Sequence, residues 1–91
     1  MIRSFRHKAL GQLFNGKPKG INADLRAKVE NILAVLDSAD GPEGTNLPGF
    51  DLHELKGHRK GVWAVTVNKN WRITFRFKNG NAQDVDFEDY H

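Results

Sequence analysis

Between Trp63 and Phe77 large apolar residues fall on every second position: Trp63, Val65 and Val67, then Trp71, Ile73, Phe75 and Phe77. Period two, carried by β-branched and aromatic residues, predicts half-buried strands. The interruption, Asn68-Lys69-Asn70, is short and Asn-rich, and Asn tolerates the left-handed backbone of a hairpin loop. Pairing Val67 with Trp71, Val65 with Ile73 and Trp63 with Phe75 puts the large apolar residues on one face. The other face then carries Val62, Ala64, Thr66, Arg72, Thr74 and Arg76. A slip of one residue would mix the two sets, so the pattern fixes the register. Two arginines four residues apart on one face of a strand, beside the basic loop Lys56–Gly61, make a polar shelf where a function would be sought.

A second hairpin follows. Asn79-Gly80 marks its turn, and Ala82 to Glu88 reads as a strand with Val85 and Phe87 on one face. A plain two-residue turn would set Arg72 against Phe87 and mix the faces. A three-residue loop, or a bulge, pairs Phe75 with Val85 and Ile73 with Phe87. It also sets Arg76 against Asp84 and Arg72 against Glu88, and is the arrangement expected.

Upstream, Met1 to Arg6 reads as a short strand anchored by Ile2 and Phe5. Leu10, Leu13 and Phe14 have the spacing of a helix of about two turns, ended by Gly16 and Pro18. Asn22 is the expected N-cap of a longer helix with the apolar stripe Leu25, Val29, Ile32, Leu33 and Leu36. Residues 41–49 are rich in Gly and Pro and form a loop. Phe50 to Leu55 is a weak strand leading into the basic loop. The fold class is α+β, with two helices on one face of a small, mostly antiparallel sheet. At 91 residues, with no repeats, the chain reads as a single domain, 1–91.

The chain has no cysteine, which excludes disulfides, thiolate metal sites and a Cys nucleophile. No apolar run nears the ~18 residues of a membrane span and the N-terminus lacks a signal-peptide core, so a cytoplasmic protein without membrane contact is expected. The net charge is +3, but four of the eleven acids, Asp84, Asp86, Glu88 and Asp89, fall in the last eight residues. Residues 1–83 therefore hold all 14 Lys and Arg against seven acids, a local +7. Such a surface suits a polyanion, and nucleic acid is the commonest one.

The sequence ends Asp89-Tyr90-His91. The expected pairing brings this end beside Arg72, gathering a phenol, an imidazole, a guanidinium and the Lys56 ammonium at one rim of the polar face. These are the parts needed to cleave RNA with neither metal nor cofactor. His91 suits proton transfer, with an unperturbed pKa near ~6.5. Arg72 and Lys56 suit the charge that develops on phosphorus oxygens, and Tyr90 can stack on a base or donate a hydrogen bond. Singly, each has a plainer reading: a surface His, a cross-strand ion pair of Arg72 with an acid, a solvated basic loop, two core tryptophans.

The strings Leu55-Lys56-Gly57, Gly61-Val62-Trp63, Val67-Asn68, Asn70-Trp71-Arg72-Ile73-Thr74-Phe75 and Asp89-Tyr90-His91, with the opening Met1-Ile2-Arg3-Ser4-Phe5-Arg6-His7, resemble the HigB-type (plasmid-maintenance killer) toxins of the RelE superfamily over essentially the whole chain. The resemblance implies a RelE-like toxin fold and a bacterial type II toxin, a ribosome-dependent endoribonuclease that cuts mRNA in the A site. The implied partners are a small helix-turn-helix antitoxin of the HigA type, the ribosome and mRNA, with operator DNA met only through the antitoxin complex. By position, the family's active residues fall on Lys56, Arg72, Asp89, Tyr90 and His91. Arg59, Lys60 and Arg76 are the expected RNA-binding residues. One departure is Thr66, where many relatives have a basic residue; either Arg76 or Arg59 compensates, or catalysis is weaker. The alternative from another class is a non-catalytic RNA- or ribosome-binding module using the same basic face.

Overall fold

A computed structural model of the chain describes residues 1–89. The elements run α1 (Lys8–Phe14), α2 (Ala23–Ser38), β1 (His53–Glu54), β2 (Trp63–Thr66), β3 (Trp71–Lys78) and β4 (Asn81–Asp89), with 3-10 turns at Pro42–Thr45 and Gly57–Arg59. The four strands form one antiparallel sheet in the order β1-β2-β3-β4.

α2 starts where its cap is placed. Asn22 Oδ1 accepts the Asp24 N–H at 2.9 Å, satisfying one of the donors that a helix start leaves unpaired. Val29, Ile32, Leu33 and Leu36 are buried along one stripe, and Leu10 and Leu13 of α1 join them. They pack on Val65, Val67, Ile73, Phe75, Ala82 and Val85, the inward residues of β2, β3 and β4 and their flanks. Trp63 and Trp71 lie partly buried against this core, and Trp71 stacks on Phe87 with ring centroids 4.6 Å apart.

The first hairpin has the register that the alternation requires, with Trp63 opposite Phe75 and Val65 opposite Ile73. In the second, Ile73 faces Phe87 and Arg72 faces Glu88, as expected. The turn itself is the tight one. Asn79 and Gly80 both take positive φ, 53° and 80°, which matches the twist of the flanking strands, and Lys78 pairs with Asn81. The extra residue is absorbed further along β4, between the pairs Arg76–Gln83 and Thr74–Asp86. The expectation that Arg76 opposes Asp84 is thereby corrected. Asp84 has φ 55° and sits in the bulge, its N–H held at 2.9 Å by the Ser4 hydroxyl.

That bulge also shapes the N-terminal segment. Ile2 and Phe5 make separate parallel bridges to Ala82 and Val85 of β4, in place of a continuous strand. Between them Asp84 turns to a side chain for its hydrogen bond, which interrupts the ladder. The 50–55 strand is similarly short, because Asp51 takes a left-handed φ of 51° and only His53 and Glu54 pair with β2.

Candidate active site

The sheet face away from the helices is less open than the alternation alone implies. Val62, Ala64 and Thr74 are buried on it. The Lys56–Gly61 loop folds back toward this face: Val62 O accepts the Leu55 N–H at 2.8 Å, and Arg59 crosses to Glu88 of β4. A Cβ on Gly61 would stand 3.2 Å from the Arg76 guanidinium, so glycine permits this close approach.

Glu88 is the hub of the arrangement. Its Oε1 accepts from Arg59 Nη1 at 3.1 Å and from Arg72 Nε and Nη2 at 3.3 and 3.1 Å. Its Oε2 accepts from Arg59 Nη2 and from the Thr74 hydroxyl at 3.4 Å. Two guanidiniums thus share one carboxylate, and the cluster keeps a net positive charge. The hydrogen bond from Arg59, then that from Arg72, holds the Glu88 carboxyl below the usual carboxylate range, against the opposing effect of burial. Reciprocally, Glu88 raises the Arg59 guanidinium above its ordinary value.

Because the folded-state pKa of Glu88 is depressed, its contribution to stability is complete above the ordinary carboxylate range and is lost as pH falls through the folded value. Glu88→Gln removes that titration. Acid unfolding of this variant, followed by circular dichroism, is expected to be less steep than that of the parent chain as pH falls below the ordinary carboxylate range. Superimposable acid limbs would show that Glu88 does not couple to folding.

The other site residues fall around this hub. Arg76, with Arg6, His58, Arg59, Val62, Thr74 and Asp84, lines an adjacent cleft of about 270 Å³. Lys56 and Lys60 are exposed and line a separate recess with Glu54, Leu55 and Gly57. Asp89 ends β4 opposite Trp71, exposed, and by strand alternation on the other side from Glu88. Tyr90 and His91 lie outside the described residues. Thr66 pairs with Arg72 across β2 and β3. The structure therefore joins Arg59 to Arg72 and sets Arg76 beside them, with Lys56 and Lys60 on the outer side of the loop. A larger hollow of about 550 Å³ near the end of α2 has no basic residue in its lining, and does not suit an anion.

Sequence reasoning missed two members of the cleft, Arg6 and His58. Arg6 arrives through the Arg6 N–H to Val85 O bond of 2.8 Å, a pairing 79 residues apart in sequence that no local pattern announces. His58 stands in the basic loop but carries no spacing signal of its own.

A two-helix layer thus packs on one face of an antiparallel sheet, and a basic loop and clustered arginines occupy the other. The sequence family model described as RelE-like toxin of type II toxin–antitoxin system HigB matches residues 3–91. A relative, Endoribonuclease HigB of Proteus vulgaris, is 44% identical over 92 aligned positions that cover the whole of both chains. The chain therefore belongs to the HigB-like, RelE-related toxins of type II toxin–antitoxin systems. Among solved structures, YafQ from E. coli strain BL21(DE3) matches with a TM-score of 0.60 at 13% identity, covering 98% of this chain and 93% of that one. A YafQ mutant from E. coli gives 0.59 at 14% identity with the same coverage. At such identities the two structures speak for the fold, which they share.

Proposed function

We propose that this toxin is a ribosome-dependent endoribonuclease that cleaves mRNA in the ribosomal A site. The single observation that carries the reading is the cluster of Arg59 and Arg72 on Glu88, at the end of the sheet that leads into Asp89-Tyr90-His91. Endoribonuclease activity is supported by full-length identity of 44% to a relative named for it.

In the proposed reaction the 2′-OH loses a proton and its oxygen attacks the adjacent phosphorus. The bond to the 5′-oxygen breaks, that oxygen takes up a proton, and a 2′,3′-cyclic phosphate remains. Arg72 and Lys56 offset the charge that grows on the phosphoryl oxygens. His91 transfers a proton and Tyr90 stacks on a base or donates a hydrogen bond, while Asp89, on the other side of β4 from Glu88, stays outside this group. Lys60 and Arg76 hold flanking phosphates. With Arg59 engaged by Glu88, Arg76 is the better substitute for the basic residue that Thr66 replaces.

The activity resides in one domain, 1–91, acting in the cytoplasm where ribosomes are. No helix among the described residues is long and apolar enough to cross a membrane. Membership of a type II toxin family implies an antitoxin. We take it to be a small helix-turn-helix protein of the HigA type, through which alone operator DNA is met. Expressing the chain alone in bacteria tests the reading: growth arrest with fragmentation of translated mRNA is expected, and normal growth with intact mRNA would reject it.

Ribosome affinity is expected to depend steeply on salt. Even two phosphate contacts would weaken binding about tenfold between ~50 and ~200 mM monovalent salt, because neutralising phosphates releases counterions. A flat titration would reduce the local +7 to a solubility feature.

A further inference from the structure

We propose that Glu88 is a positioning residue for RNA cleavage, acting through Arg72. The inference rests on the reading of Arg72 as the cation that meets the scissile phosphate.

A carboxylate in the middle of a phosphate-binding face opposes the attraction that the surrounding arginines provide. What it supplies in return is order. An arginine side chain on a strand has several rotamers, and only some aim its guanidinium at a given point. Glu88 takes the Nε and Nη2 donors of Arg72 on a single oxygen, and a cross-strand partner on a rigid ladder fixes where that oxygen stands. Glu88 is in turn held by Arg59 from the loop and by the buried Thr74 hydroxyl. Four side chains from the loop, β3 and β4 therefore lock together, and Arg72 and Glu88 keep only 18% and 21% of their side-chain surface exposed. A guanidinium ordered before substrate arrives needs no reorganisation as charge develops. The same two arginines hold the Glu88 carboxyl below its ordinary value, which favours its ionised form.

The test is a double-mutant cycle on the full chain: Glu88→Ala, Arg72→Ala and the double variant, with Glu88→Gln as a variant that keeps the side chain's shape. Single-turnover cleavage of mRNA on programmed ribosomes, half-saturating ribosome concentration and thermal melts are measured for each. Glu88→Ala and Glu88→Gln are expected to cleave about 10–100-fold more slowly, the cost of a misplaced catalytic group. Half-saturation should be unchanged or lower, since a negative charge has gone. The double variant should cleave no more slowly than Arg72→Ala, within about twofold, because residues that act as one unit are not additive.

Full additivity, or wild-type or faster cleavage by both Glu88 variants, would overturn the proposal. So would loss of the folded state in both, which makes Glu88 structural. Wild-type cleavage by Arg72→Ala would reject the parent reading of Arg72, and this inference with it. That failure shows in the Arg72 variant alone, and so is distinguishable from a failure of Glu88.

Discussion

Deleting His91 is expected to slow mRNA cleavage on ribosomes by about 10²–10⁴-fold, the usual loss when a general acid or base is removed. The deletion takes away an imidazole and moves the terminal carboxylate by one residue. Among the described residues the last core member on β4 is Val85, with Phe87 packed against it, and the deletion removes neither. Ribosome affinity should fall little, since Lys56, Arg59, Lys60, Arg72 and Arg76 remain. A non-catalytic binding module predicts the opposite, because trimming one terminal residue is ordinarily silent. Single-turnover cleavage by the full chain and by the chain ending at Tyr90, with binding in parallel, separates the two. Equal rates would remove His91 from the chemistry. A joint fall in binding and cleavage would assign the end of β4 a structural role.

Arg72→Ala is expected to lower cleavage by about 10²–10³-fold, the loss typical of removing one donor to a developing oxyanion. The fold should survive. Truncating one partner of a buried ion pair is costly chiefly because the other charge is left unpaired. Here Glu88 keeps Arg59 and Thr74 as donors, so no orphan carboxylate results. The stability change should therefore stay near the 0–1 kcal/mol of a partly exposed pair. A melting curve beside the cleavage assay checks both statements. If Arg72→Ala unfolds the chain, its role is structural and its place on the phosphate-facing side is wrong.

Where a structural feature follows from alternation or spacing, the residues announce it. The Val65–Ile73 register and the stripe from Val29 to Leu36 rest on apolar periods, and the Asn22 cap on a residue type at a helix start. The facing of Arg72 and Glu88 was legible for the same reason, since only a three-residue loop or a bulge kept Phe87 with Ile73. The position of that bulge was not. It depends on Asp84 finding the Ser4 hydroxyl, a contact across 80 residues of sequence. The capture of Glu88 by Arg59 belongs to the same class. A loop residue reaches a strand 29 positions away, and the basic loop, which composition presents as solvated, is drawn onto the sheet. The loop's division follows from that capture: Arg59 turns inward, while Lys56 and Lys60 stay exposed on the outer side.

The central claim is that the ribosome is needed for the cut. The direct measurement incubates the purified chain with one labelled mRNA, free in solution and bound in the A site of programmed ribosomes, and follows cleavage in both. The account predicts cuts within the A-site codon on the ribosome, ends bearing a 2′,3′-cyclic phosphate, and at most background cleavage of the free mRNA. Equal cleavage of free and ribosome-bound mRNA would contradict it, as would an intact message on ribosomes that the protein demonstrably occupies.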